Sequence, residues 1–230
     1  MKKNNRYEIK FVFDNIQTKK FLNYLYRNSH IKKKYNNRVV NSLYFDNFNM
    51  KSAVENLSGV AIRNKYRARW YNFDFKDTSI KNVYFETKSR KGRVGYKKSI
   101  LFIDDLNKNN FYYNTFYKKY KNLIRKKNIN YIEYDLFPKI LVRYNRNYFE
   151  NLNNIRVTVD NNIQFYDASS IIKKIYSGVN YKYNKNVVEI KFPIDQKEKI
   201  VNFLRYSSLN PTRHSKYLIG LSYTNNILYI

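Results

Sequence analysis

At 230 residues, with 43% hydrophobic and 18% aromatic content, the chain has side chains enough for the core of one domain or a compact pair, which excludes global disorder. Its 45 Lys and Arg against 17 Asp and Glu leave +28, a balance that points to a polyanionic partner: nucleic acid, an anionic membrane surface or condensed phosphate. The absence of cysteine excludes disulfides, thiolate zinc sites and a cysteine nucleophile; two histidines, His30 and His214, exclude a histidine-rich metal cage.

In chain order, Arg6 to Phe13 reads as a first strand, and Thr18 caps a helix to Arg27 with Phe21, Leu22, Leu25 and Tyr26 on one face. Val39 to Asp46 is a strand, and Asn49 to Leu57 a short helix ended near Gly59. Val60 to Phe73, Asn82 to Arg90 and Gly95 to Phe102 form three strands, and Asp104 to Lys127 is mainly helical, with Asp104 as its N-cap. Lys139 to Phe149, Ile155 to Asp160, a short Ile163 to Asp167 and Asn186 to Phe192 are strands. Asp195 to Ser207, capped by Asp195, and Arg213 to Leu221 are helices. The expected fold class is α+β, a single domain over 1–230 with about eight or nine mostly antiparallel strands. No segment approaches the ~20 apolar residues of a membrane span, and Met1 to Glu8 lacks the apolar run of a secretory signal. A soluble, cytoplasmic protein is expected.

Asn, Lys, Ile and Tyr are also what AT-rich coding sequence enriches, so position must carry the charge argument. Lys65-Tyr66-Arg67-Ala68-Arg69-Trp70 places three cations at alternate positions, hence on one face of a strand, with apolar residues on the other. The same pattern recurs in Phe85-Glu86-Thr87-Lys88, Tyr144-Asn145-Arg146, Arg156-Val157-Thr158-Val159-Asp160 and Val188-Glu189-Ile190-Lys191, while Lys10 sits at even spacing from Glu8 and Arg6. For any one strand a solvated outer face explains the pattern; its repetition points to strands lining a shared cationic cavity. Like charges ~7 Å apart repel by about 2–3 kcal/mol at an effective dielectric near 20, so such a cavity calls for an anion. Arg offers phosphate a planar fork and Lys a point charge. Glu189 stands out as a carboxylate among cations that can hold a divalent ion; for Glu8 and Glu86 a salt-bridge role is favoured and a metal role is the alternative. His214 reads as a helix-start residue, and Ser215 and Lys216 as contacts for a terminal phosphate. Lys32-Lys33-Lys34 and the Lys118 to Lys121 stretch read as solvated, with recruitment of a polyanion as the alternative.

Taken in order, Arg6-Tyr7-Glu8-Ile9-Lys10-Phe11, Ser42-Leu43-Tyr44-Phe45-Asp46, Lys65-Tyr66-Arg67-Ala68-Arg69, Glu86-Thr87-Lys88, Tyr144-Asn145-Arg146, Arg156 to Asp160, Glu189-Ile190-Lys191 and Ser215-Lys216 resemble the VTC domain. This is the polyphosphate polymerase domain of the vacuolar transporter chaperone complex, in the CYTH or triphosphate tunnel metalloenzyme superfamily. The resemblance runs from about residue 6 to 221. It implies an eight-stranded antiparallel β-tunnel, a closed barrel with a cationic lumen and helices packed outside. It also implies manganese- or magnesium-dependent transfer of the ATP γ-phosphoryl group onto a growing polyphosphate chain. By that resemblance Lys10, Arg67, Arg69, Lys88, Arg146 and Arg156 hold the triphosphate or chain. Lys65, Lys191 and Lys97 or its neighbour Lys98 add charge, and Tyr44 and Tyr144 donate hydrogen bonds to phosphate. Ser215 and Lys216 contact phosphate at one mouth, and Glu189 binds Mn2+ or Mg2+.

Two departures bear on the reading. The hydrolytic relatives open Glu-x-Glu-x-Lys, where this chain has Arg6, which favours the polymerase branch. The regulatory domain and membrane helices of the eukaryotic complex are missing, so a free-standing version is expected, a membrane partner being left open. Expected partners are ATP and inorganic polyphosphate, with no specific nucleic acid. The competing readings are a tripolyphosphatase or nucleoside triphosphatase of the same fold, and a non-catalytic binder of polyphosphate or RNA.

Overall fold

The computed structural model describes residues 6–29, 31–92, 94–107, 110–127, 135–207 and 209–224; His30 lies outside them. Its strands are β1 (Arg6–Phe13), β2 (Lys32–Asp46), β3 (Ile62–Asn72), β4 (Ile80–Lys91), β5 (Val94–Leu106), β6 (Phe137–Glu150), β7 (Arg156–Asp167), β8 (Tyr181–Tyr183) and β9 (Asn186–Pro193). The helices are α1 (Asn15–Ser29), α2 (Lys51–Ser58), α3 (Tyr113–Lys127), α4 (Lys197–Ser207) and α5 (Lys216–Thr224). The strands run in the order β1-β9-β7-β6-β2-β3-β4-β5, with β8 on β7. The pairs β1–β9, β2–β3, β3–β4, β4–β5 and β7–β9 are antiparallel. The α+β class and the antiparallel sheet stand as expected.

The closed barrel does not. The strand order ends at β1 and at β5, and among the described residues no ladder joins them. One cause lies at β1, where the carbonyl of Lys10 accepts the Thr212 N–H at 2.7 Å, so the segment before α5 satisfies backbone that a closing strand would have to bond.

By its internal contacts the chain forms two compact units. One comprises 1–38, 144–163 and 183–214; the other comprises 39–143, 164–182 and 215–230. In the first, Phe11, Phe13, Val157, Val159, Val188 and Ile190 from β1, β7 and β9 pack with Phe21 and Leu25 of α1 and Ile200 of α4. In the second, Leu43, Phe45, Tyr66, Ala68, Trp70 and Phe85 from β2, β3 and β4 pack with Tyr113, Phe116 and Tyr120 of α3. In each unit these residues alternate with the charged set, so burying one face turns the other toward its cations.

Several boundaries differ from the sequence reading. Asp104 is no helix cap: β5 runs on to Leu106 because Ile103 and Leu106 lie buried opposite Val83 and Ile80 of β4, while exposed Asp105 meets Lys81 at 3.5 Å. Helix α1 starts three residues before Thr18. Asp14 and Gln17 exchange backbone-to-side-chain hydrogen bonds of 2.7 and 3.0 Å, a reciprocal cap, and the Thr18 hydroxyl donates to the Asp14 carbonyl. Asn162 takes a left-handed φ of 50° and β7 runs through it, joining two expected strands. Lys32–Arg38 extend β2 as exposed strand. Asp195 lies in a 3-10 turn before α4, and α5 starts at Lys216, leaving His214 in the preceding segment. Gly59, at φ 73°, ends α2 as expected. Among the described residues no helix is long and apolar enough to cross a membrane.

Candidate phosphate and metal sites

In the larger unit, register builds a row of charge. Lys65 of β3 lies opposite Lys88 of β4, which lies opposite Lys97 of β5. One step along, Tyr44 of β2, Arg67, Glu86 and Ser99 form the next row. Directly opposed residues share a face, so Lys65, Lys88 and Lys97 join Arg67, Arg69 and Glu86 on one side. Lys98, opposite Thr87, belongs to the other side. Glu86 is the centre: Arg67 binds its Oε2 through Nε at 2.7 Å and Nη2 at 2.6 Å, Lys97 binds Oε1 at 2.9 Å, and Arg69 Nη1 stands 3.9 Å from Oε2. Burial alone would raise the Glu86 pKa; Arg67 and Arg69 outweigh it and hold the carboxyl down at about 2.

Arg69 also donates to the Ser42 hydroxyl through Nε and Nη2, both at 3.3 Å. Tyr44 lies beside these guanidiniums with its ring stacked on Tyr217 at 5.1 Å. Burial opposes phenolate there, but Arg67, Arg69 and Lys216 bring the Tyr44 phenol below its ordinary value. Lys65 donates to the Ser215 hydroxyl at 3.3 Å, and Lys216 opens α5. Lys65, Arg67, Arg69, Lys88 and Lys97 thus stand on one face with Glu86, and Arg63 opposite Arg90 adds two more cations to it. Like charges directly opposed across strands are destabilising, and the surplus fits an anion with several oxygens.

The smaller unit has a different balance. Lys10 of β1 lies opposite Glu189 of β9, and Glu189 opposite Thr158 of β7; the next row is Glu8, Lys191, Arg156. Lys191 Nζ meets Glu189 Oε1 at 2.5 Å and Glu8 Oε2 at 3.7 Å. Lys10 Nζ meets Glu8 Oε1 at 3.0 Å and Glu189 Oε2 at 3.8 Å. Two carboxylates and two ammoniums therefore alternate. Burial opposes charge on Glu189, yet Lys191, Lys10 and Arg146 hold its pKa well below the usual range. Arg146 is committed elsewhere, forking onto the fully buried Asp160 at 2.5 and 2.7 Å, with its guanidinium 5.3 Å from the centre of the buried Tyr144 ring. Arg156 pairs with Glu150 at 2.7 Å in a half-exposed position, and Lys34 holds the same Glu150 at 3.0 Å. Lys10 also donates to the His214 carbonyl at 3.5 Å.

The structure thus gathers Tyr44, Lys65, Arg67, Arg69, Glu86, Lys88, Lys97, Ser215 and Lys216 in one cluster. It gathers Glu8, Lys10, Arg146, Arg156, Glu189 and Lys191 in another. Sequence reasoning passed over Asp160, Thr158, Asp46 and Tyr217, although even spacing along Arg156-Thr158-Asp160 was a signal for the first two.

The fit of a divalent ion can be judged from the donors. Glu86 is saturated by three cations and is a poor ligand. Glu8 and Glu189, on adjacent strands, offer hard oxygens, and opposite Glu189 the Thr158 hydroxyl is buried with no hydrogen-bond partner. Two carboxylates and a spare hydroxyl, completed by water and phosphate oxygens, fit Mn2+ or Mg2+. Among the described residues no group of three or more acidic or histidine side chains offers an all-protein cage.

In both units antiparallel strands carry cations and carboxylates at alternate positions on one face. The VTC domain family matches residues 5–225, and the chain belongs to that family. Among solved structures it is similar to a putative adenylyl cyclase from Hippeastrum described as having dominant triphosphatase activity (13% identity, 94% of each chain, TM-score 0.48). It is similar also to the PH1819 protein from Pyrococcus horikoshii (12% identity, 96% of this chain and 98% of that one, TM-score 0.49). A third is a putative adenylate cyclase from Vibrio parahaemolyticus (9% identity, 93% and 96%, TM-score 0.49). No curated protein matches.

Proposed function

We propose that the protein is a polyphosphate polymerase that transfers the ATP γ-phosphoryl group onto inorganic polyphosphate with Mn2+ or Mg2+. The observation that carries the reading is the Glu86 face, where Arg67, Arg69 and Lys97 meet one carboxylate and Lys65 and Lys88 stand in the adjacent row. Phosphoryl transfer has a loose transition state with charge on the equatorial oxygens, so cationic positioning does most of the catalytic work. Arg67 and Arg69 present guanidinium forks oriented by Glu86 and Ser42. Lys65, Lys88 and Lys97 supply point charge, and Ser215 and Lys216 add a hydroxyl and an ammonium. A phosphate acceptor is already an oxyanion, so no Ser–His or Cys–His nucleophile is needed.

Glu189 and Glu8 would hold the divalent ion, with Thr158 beside them, and Lys10 and Lys191 would turn from these carboxylates toward phosphate. The ion supplies charge neutralisation at phosphate oxygens. Arg146 and Arg156 act as charge held near the cluster by Asp160 and Glu150.

The test is purified protein with γ-labelled ATP and Mn2+, read on a gel. Long labelled chains are expected. Labelled orthophosphate alone would replace the polymerase reading with a triphosphatase, and unchanged ATP would leave a binding module.

A further inference from the structure

The Glu86 cluster is backed by a chain of contacts that the reaction itself does not require. Asp46, the last residue of β2, is fully buried. Its Oδ1 accepts the backbone N–H of Asn47 and of Ser52, each at 2.9 Å, and its Oδ2 accepts that of Ala53 at 3.0 Å. These N–H groups anchor the carboxylate at the start of α2. Its remaining bond comes from the Tyr217 hydroxyl, which donates to Oδ2 at 2.6 Å. Tyr217 in turn stacks on Tyr44, which lies directly opposite Arg67 across β2 and β3; the Arg67 guanidinium lowers the Tyr44 phenol pKa and clasps Glu86. Tyr217 also fixes the first turn of α5, directly after Ser215 and Lys216. Further along α5, Gly220 lets the helix approach β6 and β7 closely: a Cβ there would come within 2.9 Å of Phe165 Cδ1. Helix α5 thus packs on β7 through Gly220 and meets the cation face through Tyr217.

We propose that Asp46 and Tyr217 are positioning residues: neither touches phosphate, but the Asp46–Tyr217 hydrogen bond sets the Tyr44 ring, and through it the Arg67 fork, together with the Ser215–Lys216 turn. The two phenols divide the roles. Burial and the Asp46 charge push the Tyr217 pKa well up, so it stays a donor to Asp46, whereas the cations bring that of Tyr44 down. The aspartate is fixed by backbone amides of α2, so the device is rigid at its base, as an oriented cationic site needs.

The inference rests on the phosphate-binding reading of the Glu86 cluster, and the experiment separates the two. Inorganic tripolyphosphate is titrated calorimetrically into wild type, Tyr217→Phe, Tyr44→Leu and the double variant, with the melting temperature of each recorded. Wild type that fails to bind would sink the phosphate reading. With wild type binding, Tyr217→Phe, which keeps the stacked ring and deletes one hydroxyl, is expected to weaken affinity about tenfold in folded protein. In the Tyr44→Leu background the same change should cost clearly less than tenfold, because the route through Tyr44 is gone and only that through the Ser215–Lys216 turn is left. Tyr217→Phe that lowers the melting temperature yet binds as wild type would make the contact structural only and overturn the proposal; an undiminished tenfold effect in the Tyr44→Leu background would overturn the route through Tyr44. Should Tyr217→Phe fail to fold, Asp46→Asn, which keeps one amide-accepting oxygen, is read in the same way.

Discussion

In the Glu86 cluster one buried carboxylate answers Arg67, Arg69 and Lys97, with Lys65 and Lys88 in register beside them; in the Glu189 cluster two carboxylates answer two lysines. Both come from the same device, alternate charged positions on antiparallel strands, with the core on the other face. The balance differs, and the ligand should differ with it. A face on which Lys65, Arg67, Arg69, Lys88 and Lys97 stand with Glu86 would suit the oxygens of phosphate. A balanced square of Glu8, Lys10, Glu189 and Lys191 gains little from phosphate alone, but its carboxylates beside the unpaired Thr158 hydroxyl can take a hard cation once the lysines turn away. Arg146, which looks in sequence like one more phosphate ligand, has its charge answered by Asp160.

This contrast breaks most visibly at Arg67. Arg67→Ala removes the fork that holds Glu86 and lies opposite Tyr44, leaving the carboxylate to Arg69 and Lys97. Turnover of ATP should fall on the order of 10²–10³-fold, the loss typical of removing one preorganised donor. Steady-state rates with saturating Mn2+ measure it, and a rate within threefold of wild type would show that phosphate is not held there. The next largest effect is at Glu189. Glu189→Gln should weaken Mn2+ binding, followed by paramagnetic resonance of the free ion, by at least about tenfold. Tripolyphosphate affinity measured in chelator should stay the same or rise, since a negative charge is lost. Equal loss in both measurements would mean that the two clusters do not divide the work by charge.

Much of this was legible in sequence, for a local reason: alternation fixes which residues share a face, and Lys65, Arg67, Arg69, Glu86 and Lys88 needed nothing more. Lys97 could not be told from Lys98 because a one-residue slip flips the face, and the β4–β5 register that decides it is a pairing between strands. Asp104 was misread because aspartate favours helix starts, whereas burial of Ile103 and Leu106 against β4 holds that segment as strand. Closure of the barrel was misjudged because it depends on what meets the free edge of β1, and Thr212, far along the chain, takes it. The Asp46–Tyr217 bond spans 171 residues and leaves no periodic trace.

Acid sharpens the comparison. Glu86 has its pKa lowered from 4.5 to about 2 by Arg67 and Arg69, against the opposing effect of burial. A group lowered on folding contributes stability that is full above its unfolded value and is lost as pH falls through its folded value. Glu86 therefore stabilises the larger unit above pH 4.5, and this contribution fades toward about pH 2. Glu86→Gln should be less stable than wild type at neutral pH, with the gap narrowing across that window in urea melts at fixed pH. A gap constant with pH would mean that the three cations are not compensated by this carboxylate.

The smallest effect discriminates most finely between neighbours. Lys97 binds Glu86 at 2.9 Å, but 55% of its side chain is exposed, so solvent screens the pair and its contribution is at most about 1 kcal/mol. Lys98 projects from the opposite face of β5. Lys97→Ala should therefore weaken tripolyphosphate binding only about threefold at low ionic strength, the cost of one screened point charge. The difference should shrink toward none near ~1 M salt, where the Debye length is about 3 Å. Lys98→Ala should match wild type at every salt concentration, because its ammonium and the bound phosphate would stand on opposite sides of the sheet. If both variants lose affinity equally and with the same salt slope, the ligand is responding to the overall +28 charge and the Glu86 face has no special claim on it.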